Sequence, residues 1–343
     1  MEHKEYISIS KEISKNINIH FQKFCKKYPE FKPIEEEYTK KRIHLNAVQF
    51  YAGFQSSKTK KNINKYFNVA IAIECIMLMA YKTNRILDEK QEIWKSKEKI
   101  KETILTEKVY LSLILKLLEE SKKELGNKFI KIQDLILKLI SNMYLGFLFE
   151  TENLNINKTP INTILRNWKS KYLKRNILFD GVYDYAPLIG FYIGSNKDIF
   201  ENFEKNVSEK YRYGHLGQVI NDLSDFSSVF DENVKSYQDG FSDLRNGIIT
   251  RPTFELLNNK HIQLALKNPE ITKKHIWRQK AIQDLIKNKI IEKIKKETKK
   301  GYEINISFWR NNVEIKNEFL EKSYGILLKN KYYEEFLKHK SSF

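Results

Sequence analysis

The chain has 343 residues, of which 41% are hydrophobic and 13% aromatic. That composition supplies a sizeable core and excludes a disordered chain. The formal charge of +18 does not by itself indicate nucleic-acid binding, because the lysines are spread along the chain and no zinc-finger, basic-zipper or RNP-like motif accompanies them. We expect a solvated, lysine-rich surface and no nucleic-acid partner.

Helix-breaking residues are scarce, with 12 glycines and 6 prolines, and apolar residues recur at helical spacing almost everywhere. The pattern predicts an all-α chain. No Ser/Gly linker or sequence repeat divides it, so we expect a single domain over residues 1–343. The helices are predicted over roughly 2–28, 34–55, 62–89, 106–124, 129–150, 160–175, 182–194, 198–231, 253–267 and 274–298, with two more between 313 and 341.

Cysteine content and apolar runs indicate a soluble, cytoplasmic protein. Cys25 and Cys75 are too few for a disulfide framework or a Cys-based metal site. The N-terminus is charged from its second residue and has no leader-like apolar run. The longest apolar stretch, residues 69–81, is interrupted by Glu74 and is shorter than the ~20 residues that a membrane span needs. We therefore expect no transmembrane segment.

The stretch "GQVINDLSDF", residues 217–226, gathers acids in a basic chain. Carboxylates crowded on one helix face repel one another, so we expect a cation there unless the face is simply solvated. Mg²⁺ is usually held by one or two carboxylates with water and phosphate oxygens. His215, one turn earlier, is interpreted as a packed or capping residue. The polar residues of this stretch share one helix face at positions i, i+3, i+4 and i+7, namely Gln218, Asn221, Asp222 and Asp225.

A second block, "SDLRNGIITRP" at residues 242–252, follows about 20 residues downstream. Together the two blocks resemble the second aspartate-rich region of the trans-isoprenyl diphosphate synthases, the polyprenyl synthetase family. Gln218, Asn221, Asp222 and Asp225 match the first part of that region. The downstream block is matched by Asp243, Leu244, Gly247, Thr250 and Pro252.

Upstream, the resemblance is uneven. The stretch "TKKRIHLNA" is similar to the family's basic contacts to isopentenyl diphosphate, which would fall on Lys41 and Arg42, while His44 replaces a second arginine. Residues 72–89 resemble the helix that ends in the first aspartate-rich motif, but that motif reads Asn84, Arg85, Ile86, Leu87 and Asp88. Further departures are Met77 for a histidine and Ile248 for a lysine, and the family's mid-chain Lys-Thr pair has Lys174 and Arg175 as candidates.

The resemblance implies an all-α helical bundle of the isoprenoid synthase type around a prenyl diphosphate cavity. It also implies Mg²⁺ as the cofactor, bound by Asn84, Asp88, Asn221, Asp222 and Asp225, with the acids and Gln218 promoting ionisation of the allylic C–O bond. Substrate contacts are implied for Lys41, Arg42, Lys174, Arg175 and Asp243. We further hypothesise that Arg85 contacts the diphosphate with its planar fork, the alternative being a salt bridge to Asp88 or Glu89.

Three functions stay open. The first is a prenyltransferase that would join an allylic diphosphate to isopentenyl diphosphate or another acceptor, as the basic pair at 41–42 suggests. Alternatively, the chain is a terpene synthase that cyclises or eliminates one prenyl diphosphate, as Met77 and His44 suggest. The third alternative is a catalytically weak partner of an active synthase, as the altered first motif suggests. We place prenyl transfer first, and the resemblance implies a homodimer.

Overall fold

The computed structural model describes residues 3–40, 43–87, 96–195, 197–227, 240–313 and 317–325. Within these ranges the chain forms α-helices and short 3-10 turns and no β-strand, with one isolated β-bridge between Asn155 and Ile248. The prediction of an all-α chain is confirmed.

The α-helices of the described ranges are, in chain order, α1 (His3–Lys27), α2 (Lys32–Thr39), α3 (Leu45–Gln55), α4 (Phe67–Leu87), α5 (Lys97–Leu125), α6 (Phe129–Asn153), α7 (Ile161–Leu165), α8 (Trp168–Ser195), α9 (Phe200–Asn206), α10 (Tyr213–Ser227), α11 (Ser242–Arg245), α12 (Arg251–Glu255), α13 (Lys260–Lys267), α14 (His275–Lys287), α15 (Ile290–Asn312) and α16 (Glu318–Gly325).

Helix α8 is continuous where the sequence predicts two helices with a break between residues 175 and 182. It even contains Pro187, which removes one backbone hydrogen bond. Close packing against α3 accompanies this continuity. A Cβ added at Gly53 would lie 1.8 Å from the carbonyl oxygen of Pro187, and one at Gly190 would lie 2.0 Å from that of Phe50. The two helices therefore touch backbone to backbone around Pro187 and Gly190.

Other predicted helices are divided in the structure. The predicted helix over 274–298 ends at Lys287, and α15 begins at Ile290. Between them, Lys289 has a φ of 53°, a left-handed conformation that interrupts a helix. The predicted helix over 198–231 is likewise separated into α9, a 3-10 turn and α10. These breaks depend on backbone conformations at single residues, which apolar periodicity does not reveal.

The chain groups into two compact units. Unit 1 comprises residues 1–144, 181–207 and 306–324, and unit 2 comprises residues 145–180, 208–305 and 325–343. In unit 1, α4 packs against α3 and α5, and nearly every residue from Phe67 to Ala80 is buried. The expectation of a single domain stays a prediction.

Two helical stretches, Ile63–Leu87 and Lys97–Asn153, pass a length and composition test for crossing a membrane. In the first, 72% of the most apolar window is buried inside the protein, and in the second 39% is buried. Core helices of soluble proteins pass the same test, so this is weak support for a membrane span. The cytoplasmic location stays a prediction.

Glu74 interrupts the apolar run of α4 because it caps α3. Its side chain is 1% exposed, and its Oε2 accepts hydrogen bonds from the backbone N–H groups of Asn46 at 2.9 Å and Ala47 at 3.4 Å. These N–H groups belong to the first turn of α3, where no intrahelical acceptor exists and the helix dipole favours a negative charge.

Replacing Glu74 with glutamine is expected to lower the free energy of unfolding by about 1–3 kcal/mol, because charge-assisted hydrogen bonds become neutral ones in a buried place. Urea denaturation measures the loss. Glu102→Gln on α5 is the matched control, since that exposed side chain makes the same change of charge and is expected to alter stability by no more than about 0.5 kcal/mol. Equal free energies of unfolding for the two variants would contradict the capping role of Glu74.

Unit 2 has its own core, built by aromatic and aliphatic residues of α8, α10 and α12–α15. Trp168 stacks on Phe254 with a centroid distance of 4.0 Å and an interplanar angle of 7°, and it donates a hydrogen bond from Nε1 to the carbonyl oxygen of Ile249 at 2.9 Å. Val219, Ile220 and Leu223 of α10 pack into this core. The apolar face of α10 therefore fixes the direction of its acidic face.

Candidate functional site

The four polar residues of the α10 motif lie in different surroundings. Asn221 is exposed, Gln218 and Asp225 are half-buried, and Asp222 is only 1% exposed. Neighbouring helical residues point about 100° apart, so Asn221 and Asp222 face different directions although both belong to the motif. The motif therefore divides into an inward carboxylate at Asp222 and outward oxygen donors at Asn221 and Asp225.

Protein donors occupy both oxygens of Asp222. The phenol of Tyr172 donates to Oδ2 at 2.6 Å, and Nε2 of Gln218 donates to Oδ1 at 2.7 Å. The second bond confirms that positions 218 and 222 share a helix face. Oδ1 also lies 3.9 Å from Nη1 of Arg175, whose side chain is 4% exposed.

Arg175 is the centre of a small charge cluster within unit 2. Its Nη2 contacts Oε2 of Glu150 at 2.5 Å, and its Nη1 donates to Oδ1 of Asn176 at 2.8 Å. Asp243 interacts electrostatically with Glu150, Asp222 and Arg175. The cation that the sequence leads us to expect beside the acids of α10 is therefore present as an arginine of the same chain.

Burial governs the protonation of this cluster. Burial raises the pKa of Asp222 to about 7, with Asp243 adding to the rise and Arg175 opposing it. Burial also raises the pKa of Glu150, against the lowering effect of Arg175. Burial, reinforced by Arg251 and Arg175, lowers the pKa of His215 to about 3.

His215 is consequently a neutral packed residue. It is 4% exposed, its Nδ1 lies 3.0 Å from Nδ2 of Asn176, and its ring meets that of Tyr172 edge-on at 5.9 Å. Its interpretation as a packed residue is confirmed.

The downstream block holds the end of α10 in place. Oδ1 of Asp225 lies 3.2 Å from the backbone N–H of Ser242, and the carbonyl oxygen of Asp225 accepts a bond from the N–H of Phe241 at 3.1 Å. Leu244 lies in the core of unit 2, and Ile248 is 7% exposed and bridges to Asn155.

Gly247 makes the turn of this block possible. Its φ is +76°, and a Cβ there would lie 2.8 Å from Cγ1 of Ile156 and 2.9 Å from Nδ2 of Asn157. Its carbonyl oxygen accepts a bond from the N–H of Ile156 at 2.8 Å. Only glycine meets both requirements without strain.

Replacing Gly247 with alanine is expected to cost about 1–3 kcal/mol of stability, because a non-glycine residue in the left-handed region is strained and its Cβ contacts the 156–157 segment. Gly217→Ala on α10 is the matched control. A Cβ at Gly217 meets nothing within 4 Å, so that change is expected to stabilise the helix by about 0.5–1 kcal/mol. Urea denaturation of both variants measures the contrast, and a change of the same sign in both would contradict this assignment.

Lys174 and Arg175, the two candidates for the mid-chain basic pair, point to different environments. Lys174 is exposed, with its ammonium 4.9 Å from the centroid of the Phe149 ring, whereas Arg175 is buried among acids. Of these two residues, Lys174 has its charged group at the surface.

The first motif lies at the end of α4 in unit 1. Asn84 and Arg85 are half-buried, and Arg85 donates from Nη1 to the Tyr81 hydroxyl at 2.9 Å and lies over its ring at 5.1 Å. Asp88 and Glu89, the alternative partners of Arg85, lie outside the described residues, as do Lys41 and Arg42. Their predicted roles stay predictions.

His44, which stands where the family has a second basic contact, faces the interior. It is fully buried, its Nε2 lies 2.7 Å from Oδ1 of Asn18, and its ring stacks on Tyr38 at 4.4 Å. A side chain in this position is a packing element. Met77, the other departure, is half-buried on α4.

The donor set on α10 fits Mg²⁺, but with fewer protein ligands than the resemblance implies. Among the residues that the structure describes, no three His, Cys, Asp or Glu side chains are grouped as a metal cage. Mg²⁺ needs only one or two carboxylates when water and phosphate oxygens complete its shell. Asn221 is exposed and Asp225, one helical turn later, is half-buried, so the two offer such a pair. Oδ1 of Asp225 also accepts from Ser242, whereas protein donors engage both oxygens of the buried Asp222.

Sequence reasoning missed the partners of Asp222. Tyr172 lies on the same face of α8 as Arg175 and Asn176, at spacings of three and four residues, and that polar stripe in a long helix is a signal that could have been followed. Glu150 gives no comparable signal, because its contact with Arg175 depends on how α6 and α8 are packed.

Solved structures of prenyl diphosphate synthases share this fold. The geranylgeranyl pyrophosphate synthetase from Pyrococcus horikoshii aligns with a TM-score of 0.69 at 17% sequence identity, over 96% of this chain and 100% of that one. The heptaprenyl diphosphate synthase from Staphylococcus aureus aligns with a TM-score of 0.62 at 17% identity, over 98% of each chain. A polyprenyl synthase from Caulobacter crescentus, solved with calcium and isoprenyl diphosphate, aligns with a TM-score of 0.61 at 13% sequence identity, over 84% of each chain.

A scan against protein-family models finds no match, and a sequence comparison with curated proteins finds none either. At these low identities the likeness is one of fold. The chain has the all-α isoprenoid synthase fold, and the resemblance recognised in its motifs is confirmed at that level.

Proposed function

We propose that this chain, folded like the isoprenyl diphosphate synthases, binds the diphosphate of an allylic prenyl diphosphate beside Asn221 and Asp225 and transfers the prenyl group. The observation that carries the proposal is the acidic motif of α10, which presents accessible oxygen donors within a fold shared with prenyl diphosphate synthases. Isopentenyl diphosphate is the proposed acceptor.

The residues of this chain have separate tasks in that reaction. Asn221 and Asp225 would hold Mg²⁺, which when bound neutralises the charge that grows on the departing diphosphate. The ammonium of Lys174 would attract the same phosphates at the surface of α8. Gln218 donates a hydrogen bond to Asp222, and this bond holds the two side chains of the α10 motif in a fixed geometry.

A one-substrate reaction is the second candidate, and the burial of His44 favours it. If the second basic contact to isopentenyl diphosphate is turned into the core, the acceptor site is weakened. A lyase that ionises one prenyl diphosphate and cyclises or eliminates it needs no such site.

Product analysis distinguishes the candidates. The purified protein is incubated with Mg²⁺ and geranyl, farnesyl or geranylgeranyl diphosphate, with and without isopentenyl diphosphate, and extracts are analysed by mass spectrometry. A longer prenyl diphosphate formed only with isopentenyl diphosphate supports prenyl transfer. A hydrocarbon or alcohol formed from the allylic substrate alone supports the lyase.

A homodimer is proposed as the assembled form. Helices α5 and α6 expose large apolar side chains in unit 1, with Ile104 and Leu115 three turns apart on α5 and Ile130 and Leu137 two turns apart on α6. Such faces mark association surfaces.

Replacing Leu115 with lysine is therefore expected to shift the protein from dimer to monomer in light scattering coupled to size exclusion. Ile276→Lys is the matched control, since Ile276 is 69% exposed on α14 in unit 2 and is expected to leave the mass unchanged. A wild-type protein that is monomeric at all concentrations would contradict this assembly.

A further inference from the structure

Charge within unit 2 is unevenly balanced around Arg175. Three carboxylates, those of Glu150, Asp222 and Asp243, interact with this one guanidinium. Arg175 is 4% exposed and Asp222 is 1% exposed, so bulk solvent screens the interaction between these two only weakly. A buried carboxylate needs a partner charge or hydrogen bonds, and here the protein supplies both.

Asp222 has no accessible surface for a further ligand. Its side chain is 0% exposed, Tyr172 and Gln218 each donate to one of its oxygens, and Arg175 lies against the oxygen that Gln218 contacts. Direct coordination of a metal by Asp222 would require displacing one of these groups.

The phenol that contacts Asp222 is itself firmly placed. The Tyr172 ring stacks on Trp168 at 4.7 Å with an interplanar angle of 17°, and Trp168 is in turn stacked on Phe254. Tyr172 is 2% exposed. Moving its hydroxyl away from Asp222 would disturb a close-packed aromatic column, which dense interiors resist.

We propose that Arg175 takes the place of a bound metal ion at Asp222, so that the metal donors of the α10 motif are reduced to Asn221 and Asp225. Arg175 and Tyr172 are then positioning residues. They hold Asp222 inward and fix α10 through the bond between Asp222 and Gln218. This proposal rests on the proposed function in one respect: it takes a diphosphate as the ligand that binds with the metal.

The test measures metal binding directly and without turnover. Mn²⁺ is titrated into the full chain in the presence of inorganic pyrophosphate, and bound Mn²⁺ is followed by electron paramagnetic resonance. In the double variant Glu150→Gln with Arg175→Gln, which removes one charge of each sign, Asp222 is released from its counter-ion. Tyr172 and Gln218 still donate to its oxygens, but its negative charge is no longer neutralised. Mn²⁺ held by Asn221 and Asp225 is then expected to bind about tenfold more tightly than in the wild type.

Adding Asp222→Asn to the double variant is expected to abolish the gain. No gain in the double variant, or a gain that survives the loss of Asp222, overturns the proposal. If the wild type binds no Mn²⁺ in the presence of pyrophosphate, the metal site of the proposed function is contradicted. The comparison of Mn²⁺ binding between the double and triple variants still decides the role of Arg175.

Single variants give a second measurement that does not require the double variant to fold. Asp225→Asn in the otherwise unchanged chain is expected to weaken Mn²⁺ binding about tenfold or more. Asp222→Asn, which keeps an acceptor for Tyr172, is expected to change it by less than about threefold. An effect of Asp222→Asn as large as that of Asp225→Asn overturns the proposal.

Discussion

Replacing Arg175 with methionine is expected to lower the free energy of unfolding by about 3–5 kcal/mol, because losing one partner of a buried ion pair leaves uncompensated charge in the interior. Without the arginine, the negative charges of Glu150 and Asp222 would repel each other with no cation to compensate them. The side chain of Asp222 also has no access to water. Urea denaturation followed by circular dichroism measures the loss.

Lys174→Met is the matched control for that experiment. It removes the same charge from the adjacent residue of α8, but from an exposed side chain, and is expected to change stability by no more than about 0.5 kcal/mol. Adding Asp222→Asn to Arg175→Met removes one of the uncompensated charges and is expected to restore part of the loss. Similar destabilisation by Arg175→Met and Lys174→Met would contradict the charge cluster.

Replacing Asp225 with asparagine is expected to reduce the rate of diphosphate release about a hundredfold or more, since the accessible carboxylate of the motif would become a neutral amide and metal-assisted departure of the leaving group is worth several kcal/mol. The change of shape is small, and asparagine keeps an oxygen that can accept from the N–H of Ser242. Release of inorganic diphosphate from an allylic substrate measures the effect.

Glu270→Gln serves as the control for Asp225→Asn, because Glu270 is an exposed carboxylate of the same unit that pairs with the surface residue Lys273. That variant is expected to keep the wild-type rate. A normal rate in Asp225→Asn, with circular dichroism unchanged, would remove Asp225 from the site.

Much of the architecture is predictable from local pattern. Apolar periodicity indicates helices over almost the whole chain, and the spacing from Gln218 to Asp225 places a polar face on α10. The same periodicity does not show that Lys289 adopts a left-handed conformation, that α8 continues through residues 176–181, or that glycines let α3 and α8 approach so closely. Such features depend on single backbone angles and on neighbours distant in sequence.

The candidate site was predictable in its composition and less so in its geometry. Spacing placed Asp222 and Asp225 on one helix face, and the family resemblance implied that both bind metal. The structure turns Asp222 toward Tyr172 and Arg175. The need for a cation beside these acids follows from electrostatics. Its identity as an arginine of α8 does not, because that contact requires the packing of α8 against α10.

Release of inorganic diphosphate tests the central claim most directly. Purified protein is incubated with Mg²⁺ and, in turn, geranyl, farnesyl and geranylgeranyl diphosphate, each with and without isopentenyl diphosphate. The account predicts release above the rate without protein for at least one substrate, lost on chelation of the metal and in Asp225→Asn. No release from any of the three substrates, with or without isopentenyl diphosphate, would contradict it and favour a non-catalytic partner of an active synthase.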